Sequence, residues 1–340
     1  MIVTVTPNPS IDHTLELDRL VRGAVNRSSG GRVDPGGKGI NVSRALRGHG
    51  IATAAVAPLG GVEGTRLAGL LADGGIEVRA VPIDGPTRTN VTVAEPAGTT
   101  TKLNEPGPLL TADEAQALRR TVLEAAGPTD WGVCCGSLPR GVGPGFFAAL
   151  AAPLHDRGVR IALDTSGPAL LAALTPSPRG PAGLPDLVKP NHEELAEAVA
   201  RPLPTLGDVV RAARELRGRG IDTVLVSLGP DGAVLVDAAG AVHAEARVER
   251  PRSTVGAGDA LLAGYLSVAA RPEDPGRSPA GPVPLDAATA REALVAAVAW
   301  GAAATGLPGS RMPGPHDVAA VTVTVHDRCD PQRRLGGATE

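Results

Sequence analysis

Aromatic side chains are almost absent from this sequence: its 340 residues include two tryptophans, one tyrosine and two phenylalanines. Proteins that bind single-stranded nucleic acid stack the bases on exposed aromatic rings, which this chain can hardly supply. The formal net charge of −3 offers no polycationic surface for a phosphate backbone either. We therefore expect no nucleic-acid partner, and a core built from Ala, Val, Leu and Ile.

Cysteines, zinc motifs and long apolar segments are also scarce. The three cysteines, of which Cys134 and Cys135 are adjacent, do not make a disulfide framework, and no C-x-x-C or H-E-x-x-H motif points to zinc. The start "MIVTVTPNPS" lacks the basic residues and apolar run of a signal peptide, and no stretch approaches the ~20 apolar residues of a membrane span. These absences predict a soluble, reduced, cytoplasmic protein with no membrane partner.

Short aliphatic runs alternate with Ala- and Leu-rich helical patterns along most of the chain. The predicted buried strands are "MIVTVT" (1–6), "WGVCC" (131–135), "VRIALD" (159–164), "DLVKP" (186–190) and "DTVLVSL" (222–228). The predicted helices cover 39–49, 63–74, 112–126, 145–157, 192–200 and 207–219. Such alternation predicts an α/β fold with a mostly parallel sheet covered by helices on both faces, which places ligands at the carboxyl ends of the strands.

Two stretches without a helical pattern interrupt this alternation. Residues 13–33 and 87–104 show two-residue periodicity and turn chemistry, which predicts about four strands in a small sheet that would serve as a lid. We expect residues 271–284, rich in Pro and Gly, to form an exposed loop, and residues 329–340 to be a loose tail. The α/β core then comprises 1–12, 34–86 and 105–328.

The stretch "STVGAGDALLAGYL" (253–266) places glycines and a carboxylate at the start of an apolar helix. Gly256, Ala257 and Gly258 let backbone N–H groups approach an anion, toward which the helix directs its positive end, and Asp259 would lie beside that anion. A Walker A loop is excluded, and a dinucleotide loop would need glycine where Leu261 stands. The alternative is that Asp259 merely favours the helix dipole.

The stretch "VDPGGKGINVSRAL" (33–46) is a second glycine-rich entry into a helix. Its glycines Gly36, Gly37 and Gly39 permit close backbone approach, Lys38 can meet a negative group, and Asn41 offers an amide on the first turn. The alternative is a tight strand-to-helix turn with a solvated lysine. Two such loops in one chain favour a ligand more than either does alone.

Two further charged residues stand near predicted strand ends. Asp12, in "TPNPSIDHT" (6–14), would either accept hydrogen bonds from ligand hydroxyls or cap a turn. Arg88, in "PTRTNVTV", begins part of the predicted lid. Its planar guanidinium suits a phosphate, although a lone arginine on a surface strand is usually only solvated.

The stretch "VKPNHEEL" (188–195) allows two interpretations. Asn191 and Glu194 are spaced as a capping box, and the same pair at a strand end suits a water-coordinated Mg²⁺. Lys189 lies beside them, and Asp164 ends the preceding strand. The next stretch, "VSLGPDGAVL" (226–235), predicts a hairpin turn whose Ser227 and Gly229 would border a nucleotide.

Eight motifs occur in the order found in the ribokinase-like sugar kinases of the PfkB family, which the chain resembles over nearly its whole length. They are "NPSID", "PGGKGINVSRAL", "TRTNV", "GSLPRGV", "LDTSG", "KPNHEE", "SLGPDGA" and "STVGAGDALLAG". The resemblance implies a three-layer α/β sandwich with a β lid. "TPNPSID", "GGKGINVSRAL" and "TRTNV" are most similar to the branch of phosphosugar kinases that includes 1-phosphofructokinases and tagatose-6-phosphate kinases.

The resemblance also implies roles for the matching residues. Asp259 would be the general base that takes the proton of the attacking sugar hydroxyl, and the amides of 256–258 would form the anion hole for the migrating phosphoryl group. The residues implied to bind the sugar phosphate are Asp12, Gly37, Lys38, Asn41, Arg88 and Ser137, with Arg88 gripping the phosphate already present.

ATP and Mg²⁺ are the implied cofactors. The residues implied to contact ATP are Lys189, Asn191, Ser227, Gly229, Gly232, Ser253, Thr254, Gly256 and Gly258. Those implied to hold Mg²⁺, through water, are Asp164, Asn191 and Glu194. Because the lid often pairs subunits in this family, the resemblance also implies a homodimer.

The implied activity is phosphorylation of fructose 1-phosphate at its 6-hydroxyl by ATP. A kinase of the same family acting on tagatose 6-phosphate or fructose 6-phosphate is one alternative. A non-catalytic sugar- or nucleotide-binding regulator is another, although a binder does not need Asp259, and the residue Leu261 disfavours a dinucleotide oxidoreductase. Cys135, Arg140 and the long 271–284 loop depart from the family pattern and leave fine specificity and nucleotide affinity open.

Overall fold

The computed structural model describes residues 1–96, 99–128, 130–176, 183–271, 285–326 and 328–336, and these contain fourteen strands and ten α-helices. The strands are β1 (Ile2–Val5), β2 (Ser10–Glu16), β3 (Gly30–Gly36), β4 (Thr53–Leu59), β5 (Glu77–Pro82), β6 (Arg88–Ala94), β7 (Thr100–Leu103), β8 (Trp131–Cys135), β9 (Arg160–Asp164), β10 (Leu187–Val188), β11 (Thr223–Ser227), β12 (Ala233–Val236), β13 (Ala241–Ala246) and β14 (Val323–His326). The helices are α1 (Lys38–Gly48), α2 (Gly61–Asp73), α3 (Ala112–Ala125), α4 (Ala148–His155), α5 (Gly167–Ala173), α6 (His192–Ala198), α7 (Leu206–Gly218), α8 (Ala257–Ala269), α9 (Ala287–Thr305) and α10 (Pro315–Ala319). The predicted loop over 271–284 lies outside the described residues, apart from Arg271.

Ten strands form one sheet in the order β14-β13-β12-β11-β10-β9-β8-β1-β4-β5. Neighbours are parallel from β5 to β11 and antiparallel from β11 to β14. The predicted mostly parallel sheet is thus confirmed, and all five predicted strands belong to it. The predicted hairpin turn is also confirmed, since β11 and β12 pair antiparallel with Ser227 opposite Ala233.

Helices cover both faces of this sheet, which gives three layers. One apolar cluster joins one sheet face to α1, α8 and α9, and another joins the opposite face to α3, α4, α5, α6 and α7. The few aromatics are compensated by close helix packing: a Cβ on Gly264 would lie 2.5 Å from the carbonyl oxygen of Ala296. None of the helices in the described part of the chain is long and apolar enough to cross a membrane.

The remaining four strands form a separate small sheet in the order β3-β2-β6-β7. Both stretches predicted to be extended contribute to it, but β2 begins at Ser10 and β3 runs to Gly36. Asp12 and Asp34 therefore belong to the small sheet and not to the core. Ile11 and Val33 pack toward α2 in a third apolar cluster that contains Leu67. Because side chains alternate along a strand, the face that carries Asp12 points the other way.

The C-terminal segment differs from the loose tail that the sequence predicted. The Leu206 amide donates to the Arg333 carbonyl over 2.9 Å, and Leu335 is buried. The Arg333 guanidinium forms ion pairs with Asp231 at 3.1 Å and Glu245 at 2.5 Å. The prediction is therefore wrong for residues 330–336, whose contacts fall on residues distant in sequence, and residues 337–340 lie outside the described residues.

Candidate active site

Several of the predicted site residues lie together at the carboxyl edge of the parallel sheet. Asp164 ends β9, Lys189 directly follows β10, and Ser227 ends β11. Asp164 stands in register with Cys135 at the end of β8, and Asn191 and Ser227 are joined by a bridge. In open α/β sheets this edge is where ligands bind.

A fully buried carboxylate with two lysines lies at the centre of the site. Lys38 Nζ donates to Asp164 Oδ1 over 2.7 Å, and Lys189 Nζ forms an ion pair with Asp164 Oδ2 at 3.1 Å. Burial opposes ionisation of Asp164, but the charges of Lys189 and Lys38 outweigh it and lower the pKa of that carboxyl. Burial likewise disfavours the charged form of Lys38, yet Asp164, Glu194 and Asp259 together raise the pKa of this ammonium group. Two ammonium groups are therefore held in place among the carboxylates of the site.

Asp259 lies in the first turn of α8 and is buried. Its carboxylate Oδ2 accepts a hydrogen bond from Asn41 Nδ2 over 2.8 Å, so its partner belongs to α1. Burial, followed by the charge of Asp164, raises the pKa of Asp259 to about 6, against the opposing effect of Lys38. A carboxyl group with this pKa can accept a proton at neutral pH and release it again.

The glycines of the second loop are needed for close packing. Gly37 has a φ of 116°, and a Cβ there would lie 2.6 Å from Thr6 Cγ2. A Cβ on Gly36 would lie 2.4 Å from the carboxylate oxygens of Asp12. The tight turn weighed in the sequence analysis is therefore present, but Lys38 is not merely solvated, because it pairs with Asp164.

The small sheet carries a polar group of its own around Asp12. Asp12 Oδ1 accepts hydrogen bonds from Ser10 Oγ at 2.7 Å and from Asn90 Nδ2 at 3.1 Å. Arg88 donates from Nη2 to the Asn8 carbonyl at 2.9 Å, and no described residue pairs with its Nε. Burial lowers the pKa of Arg88, while the charge of Asp12 acts in the opposite direction.

Asn8 joins Arg88 to the predicted sugar-binding residue Ser137. Its Nδ2 donates to Ser137 Oγ over 3.3 Å and to the Pro106 carbonyl over 3.2 Å. Neither Asn8 nor Asn90 is among the site residues predicted from the sequence, although both lie within the motifs "NPSID" and "TRTNV". An asparagine beside a strand end has no signal in one sequence that separates it from a turn residue.

Asn191 and Glu194 form the capping box of α6. Asn191 Oδ1 accepts from the Glu194 amide over 2.7 Å, and Glu194 Oε2 accepts from the Asn191 amide over 2.8 Å. The other carboxylate oxygen of Glu194 lies 3.8 Å from Lys38 Nζ. No cluster of three His, Cys, Asp or Glu residues suited to a metal occurs within the described ranges. The capping interpretation is thus confirmed, and the Mg²⁺ interpretation stays a prediction.

The residues predicted to contact ATP lie on several turns. At Gly229, with a φ of 59°, no described atom would lie within 4 Å of a Cβ, whereas at Gly232 a Cβ would meet the Ala244 carbonyl oxygen at 2.0 Å. Gly232 is therefore required by packing against β13. Ser253 Oγ accepts from the Val255 amide at 3.2 Å, and the Thr254 carbonyl accepts from the Ala257 amide at 3.4 Å.

A cavity of about 440 Å³ lies between the small sheet and the core segments 251–253 and 308–309. Its walls include Thr14 and Thr92, which stand two residues beyond Asp12 and Asn90 on the same strands. Because alternate residues of a strand share a face, the cavity continues the face that carries Asp12. The site therefore opens into space that can admit part of a small ligand.

Cys135 and Arg140, two residues that depart from the family pattern, differ in their exposure to solvent. Cys135 is fully buried, and burial raises the pKa of its thiol, which disfavours the thiolate. Arg140 is exposed, and its carbonyl accepts from the Leu110 amide over 2.9 Å. Their effect on specificity stays a prediction.

We expect Gly256→Ala to lower kcat by about tenfold, because small displacements of reacting groups are costly. Gly256 has a φ of 77°, and a Cβ there would lie 2.5 Å from Met312 Cε. The Met312 methyl can move aside, but a left-handed φ is unfavourable for alanine, so we expect the start of α8 to shift relative to Asn41. Steady-state kinetics of the variant are compared with Gly69→Ala, where no described atom lies within 4 Å of a Cβ. Equal kcat in both variants would contradict the prediction.

The two lysines suit a polyphosphate donor and the buried Asp259 carboxylate suits a hydroxyl acceptor, which are the two substrates that kinases bring together. The chain belongs to the pfkB family of carbohydrate kinases, whose pattern it matches over residues 5–317. It is therefore a phosphotransferase that acts on a sugar hydroxyl, and the family implies ATP as its second substrate.

The names of individual relatives are more specific than the description of the family. The chain is 39% identical over 328 residues to the 1-phosphofructokinase of Rhodobacter capsulatus, covering 95% of this chain and 96% of that one. It is 36% identical over 263 residues to the ATP-dependent 6-phosphofructokinase isozyme 2 of Escherichia coli, covering 77% and 83%. The crystal structure of phosphofructokinase-2 from Escherichia coli in complex with substrates and products has a TM-score of 0.82 at 33% identity, covering 94% and 97%. These likenesses confirm the α/β fold with its small sheet.

Proposed function

We propose that the protein transfers the γ-phosphoryl group of ATP to the 6-hydroxyl of fructose 1-phosphate, giving fructose 1,6-bisphosphate and ADP. The observation that carries the proposal is the buried Asp259 carboxylate, held at the N-terminus of α8 beside the Asp164 group with its two lysines. The choice of sugar rests on the likeness to a 1-phosphofructokinase over nearly the whole chain.

In this proposal Asp259 is the general base. Its carboxylate takes the proton of the attacking hydroxyl, and burial makes it basic enough to do so. The backbone N–H groups of residues 256–258 and the helix dipole stabilise the charge on the transferring group. Lys189 lies beside them, since a Cβ on Gly258 would be 3.4 Å from its Nζ.

The residues present fit ATP and Mg²⁺. Gly229 leaves open space next to the strand end where Ser227 lies, and Lys189 and Lys38 supply charge for phosphates. The carboxylates of Asp164 and Glu194 are the oxygen donors that Mg²⁺ prefers, and the lysines on Asp164 favour coordination through water. When bound, Mg²⁺ would neutralise phosphate charge.

The small sheet would hold the sugar phosphate. Asp12 would accept hydrogen bonds from sugar hydroxyls while Ser10 and Asn90 keep its carboxylate in position. Arg88 would bind the phosphate, because its planar guanidinium can donate two parallel hydrogen bonds to phosphate oxygens. Closed over the core, the sheet would exclude water and so suppress ATP hydrolysis.

The outer face of the small sheet supports the proposal of a homodimer. Val91 stands opposite Leu103, which is 61% exposed, whereas Val93, which stands opposite Leu15, is only 5% exposed. The exposed Leu103 side chain on this face suits contact with a second copy of the chain. A cytoplasmic location stays a prediction from the sequence.

We expect activity to rise with pH through about pH 6. The base works only when ionised, so protonation of Asp259 below its raised pKa removes activity, and the rate levels off above it. The measurement is kcat/KM for fructose 1-phosphate across the acid range. A rate that stays constant down to about pH 4.5 would contradict an essential Asp259 of this pKa.

The substrate is tested by ADP release with ATP, Mg²⁺ and one of fructose 1-phosphate, fructose 6-phosphate, tagatose 6-phosphate or fructose. We expect the highest kcat/KM for fructose 1-phosphate and little turnover of fructose, because Arg88 would have no phosphate to bind. Preference for a 6-phosphate would move the assignment to the alternative kinase. Binding without turnover of any sugar would favour the non-catalytic regulator.

A further inference from the structure

Arg44 has no part in the reaction described above, yet its side chain ends close to the proposed base. It lies on α1, one turn after Asn41, and its side chain is 16% exposed. Its Nη1 donates to the Asn41 Oδ1 atom over 3.1 Å, and at the same distance to the carbonyls of Pro35 and Ser310. Asn41 in turn donates from Nδ2 to Asp259.

The chemistry of an amide makes this arrangement directional. A guanidinium has hydrogen-bond donors and no acceptor, and it stays protonated in proteins. The Asn41 oxygen must therefore face Arg44, which leaves its NH₂ group for the Asp259 carboxylate. The reversed amide would place donor against donor at Arg44 and acceptor against carboxylate at Asp259, each at a cost in a buried place.

We propose that Arg44 is a positioning residue, which fixes the orientation of the Asn41 amide and through it holds the Asp259 carboxylate in place for proton transfer. The inference rests on the proposed role of Asp259 as the base. Arg44 would touch neither substrate and would act through its hydrogen bond to Asn41.

The position of Arg44 is itself set by the small sheet. Asp34 on β3 lies 3.4 Å from Arg44 Nη2 and 2.6 Å from Arg32 Nε. Arg32 also donates to the Pro308 carbonyl over 3.0 Å. Arg32 thus pairs with the same Asp34 carboxylate as Arg44 but has no hydrogen bond to Asn41, which makes it a matched control.

The experiment measures kcat and KM for Arg44→Met, Arg44→Lys and Arg32→Met, and for Arg44→Met combined with Asn41→Ala. We expect Arg44→Met to lower kcat by about 30-fold with KM for ATP within about threefold, because the amide is free to turn. Arg44→Lys should restore most of kcat, since an ammonium group still donates to Asn41. Arg32→Met should keep kcat within about twofold even where stability falls.

The double variant is the decisive readout. If Arg44 acts through Asn41, then Arg44→Met changes kcat by less than about twofold once Asn41 is alanine, so the two effects are not additive. Additive losses, or an equal loss in Arg32→Met, would show that the cluster only supports the fold and would overturn the inference. Full activity in Asp259→Asn would instead overturn the proposed base.

Folding of each variant is checked by circular dichroism. If Arg44→Met does not fold, Arg44→Gln replaces it, because its neutral amide is shorter and cannot reach all three acceptors of Nη1. The same loss of kcat and the same lack of additivity are then expected. A folded Arg44→Gln with unchanged kcat would overturn the inference.

Discussion

Asp259→Asn lowers kcat by about three orders of magnitude, which is the contribution typical of a lost general base. The amide is nearly the same size as the carboxylate, and its oxygen can still accept the hydrogen bond from Asn41 Nδ2. Binding geometry should therefore survive, with KM for ATP within a few-fold of the wild-type value, while proton transfer is lost. Steady-state kinetics of the purified variant measure both.

Asp130→Asn is the matched control for this substitution. Asp130 is also buried, but it directly precedes β8, at the opposite edge of the sheet, where it pairs with the N-terminal amine. We expect this variant to lose stability and keep kcat. An unchanged kcat in Asp259→Asn, or an equal loss in Asp130→Asn, would contradict the role given to Asp259.

Asp164→Asn lowers the free energy of unfolding by about 3 kcal/mol, because it leaves the buried charge of Lys189 without its partner. Lys189 is 3% exposed, and among the described residues no carboxylate other than that of Asp164 lies within ion-pair distance of it. Its ammonium group would face Lys38 across a neutral amide. Urea unfolding of the two proteins measures the difference.

Two variants separate this effect from a general loss of charge. Lys189→Met removes a buried charge yet leaves Asp164 paired with Lys38, so a smaller loss of stability is expected. Glu215→Gln breaks the exposed ion pair with Arg201, and its unfolding curve should overlay that of the wild type. Equal stability of Asp164→Asn and wild type would contradict the account of the buried group.

Much of the fold was predictable because the chain alternates strand and helix patterns of ordinary length. The strands missed are β4, β5, β13 and β14. A short apolar run cannot be assigned to strand or helix from periodicity alone, which explains β4. The packing of residues 330–336 depends on partners such as Asp231, about a hundred residues away, which no local pattern reveals.

The candidate site was predictable as a set of motifs but not as a set of contacts. The resemblance assigned roles to Lys38, Asp164 and Lys189 separately, whereas the structure joins them around one carboxylate. The Lys38 to Asp164 contact spans 126 residues of sequence. Arg44 stands in a quoted motif, but its role depends on the direction of an amide, which only three-dimensional contacts define.

In the proposed reaction the γ-phosphoryl group moves to a hydroxyl of a sugar phosphate. The most direct measurement follows ³¹P NMR signals of the wild-type enzyme with ATP, Mg²⁺ and fructose 1-phosphate. We expect fructose 1,6-bisphosphate and ADP in equal amounts, with no inorganic phosphate. ADP with inorganic phosphate and no bisphosphate, or no change in any signal, would contradict it.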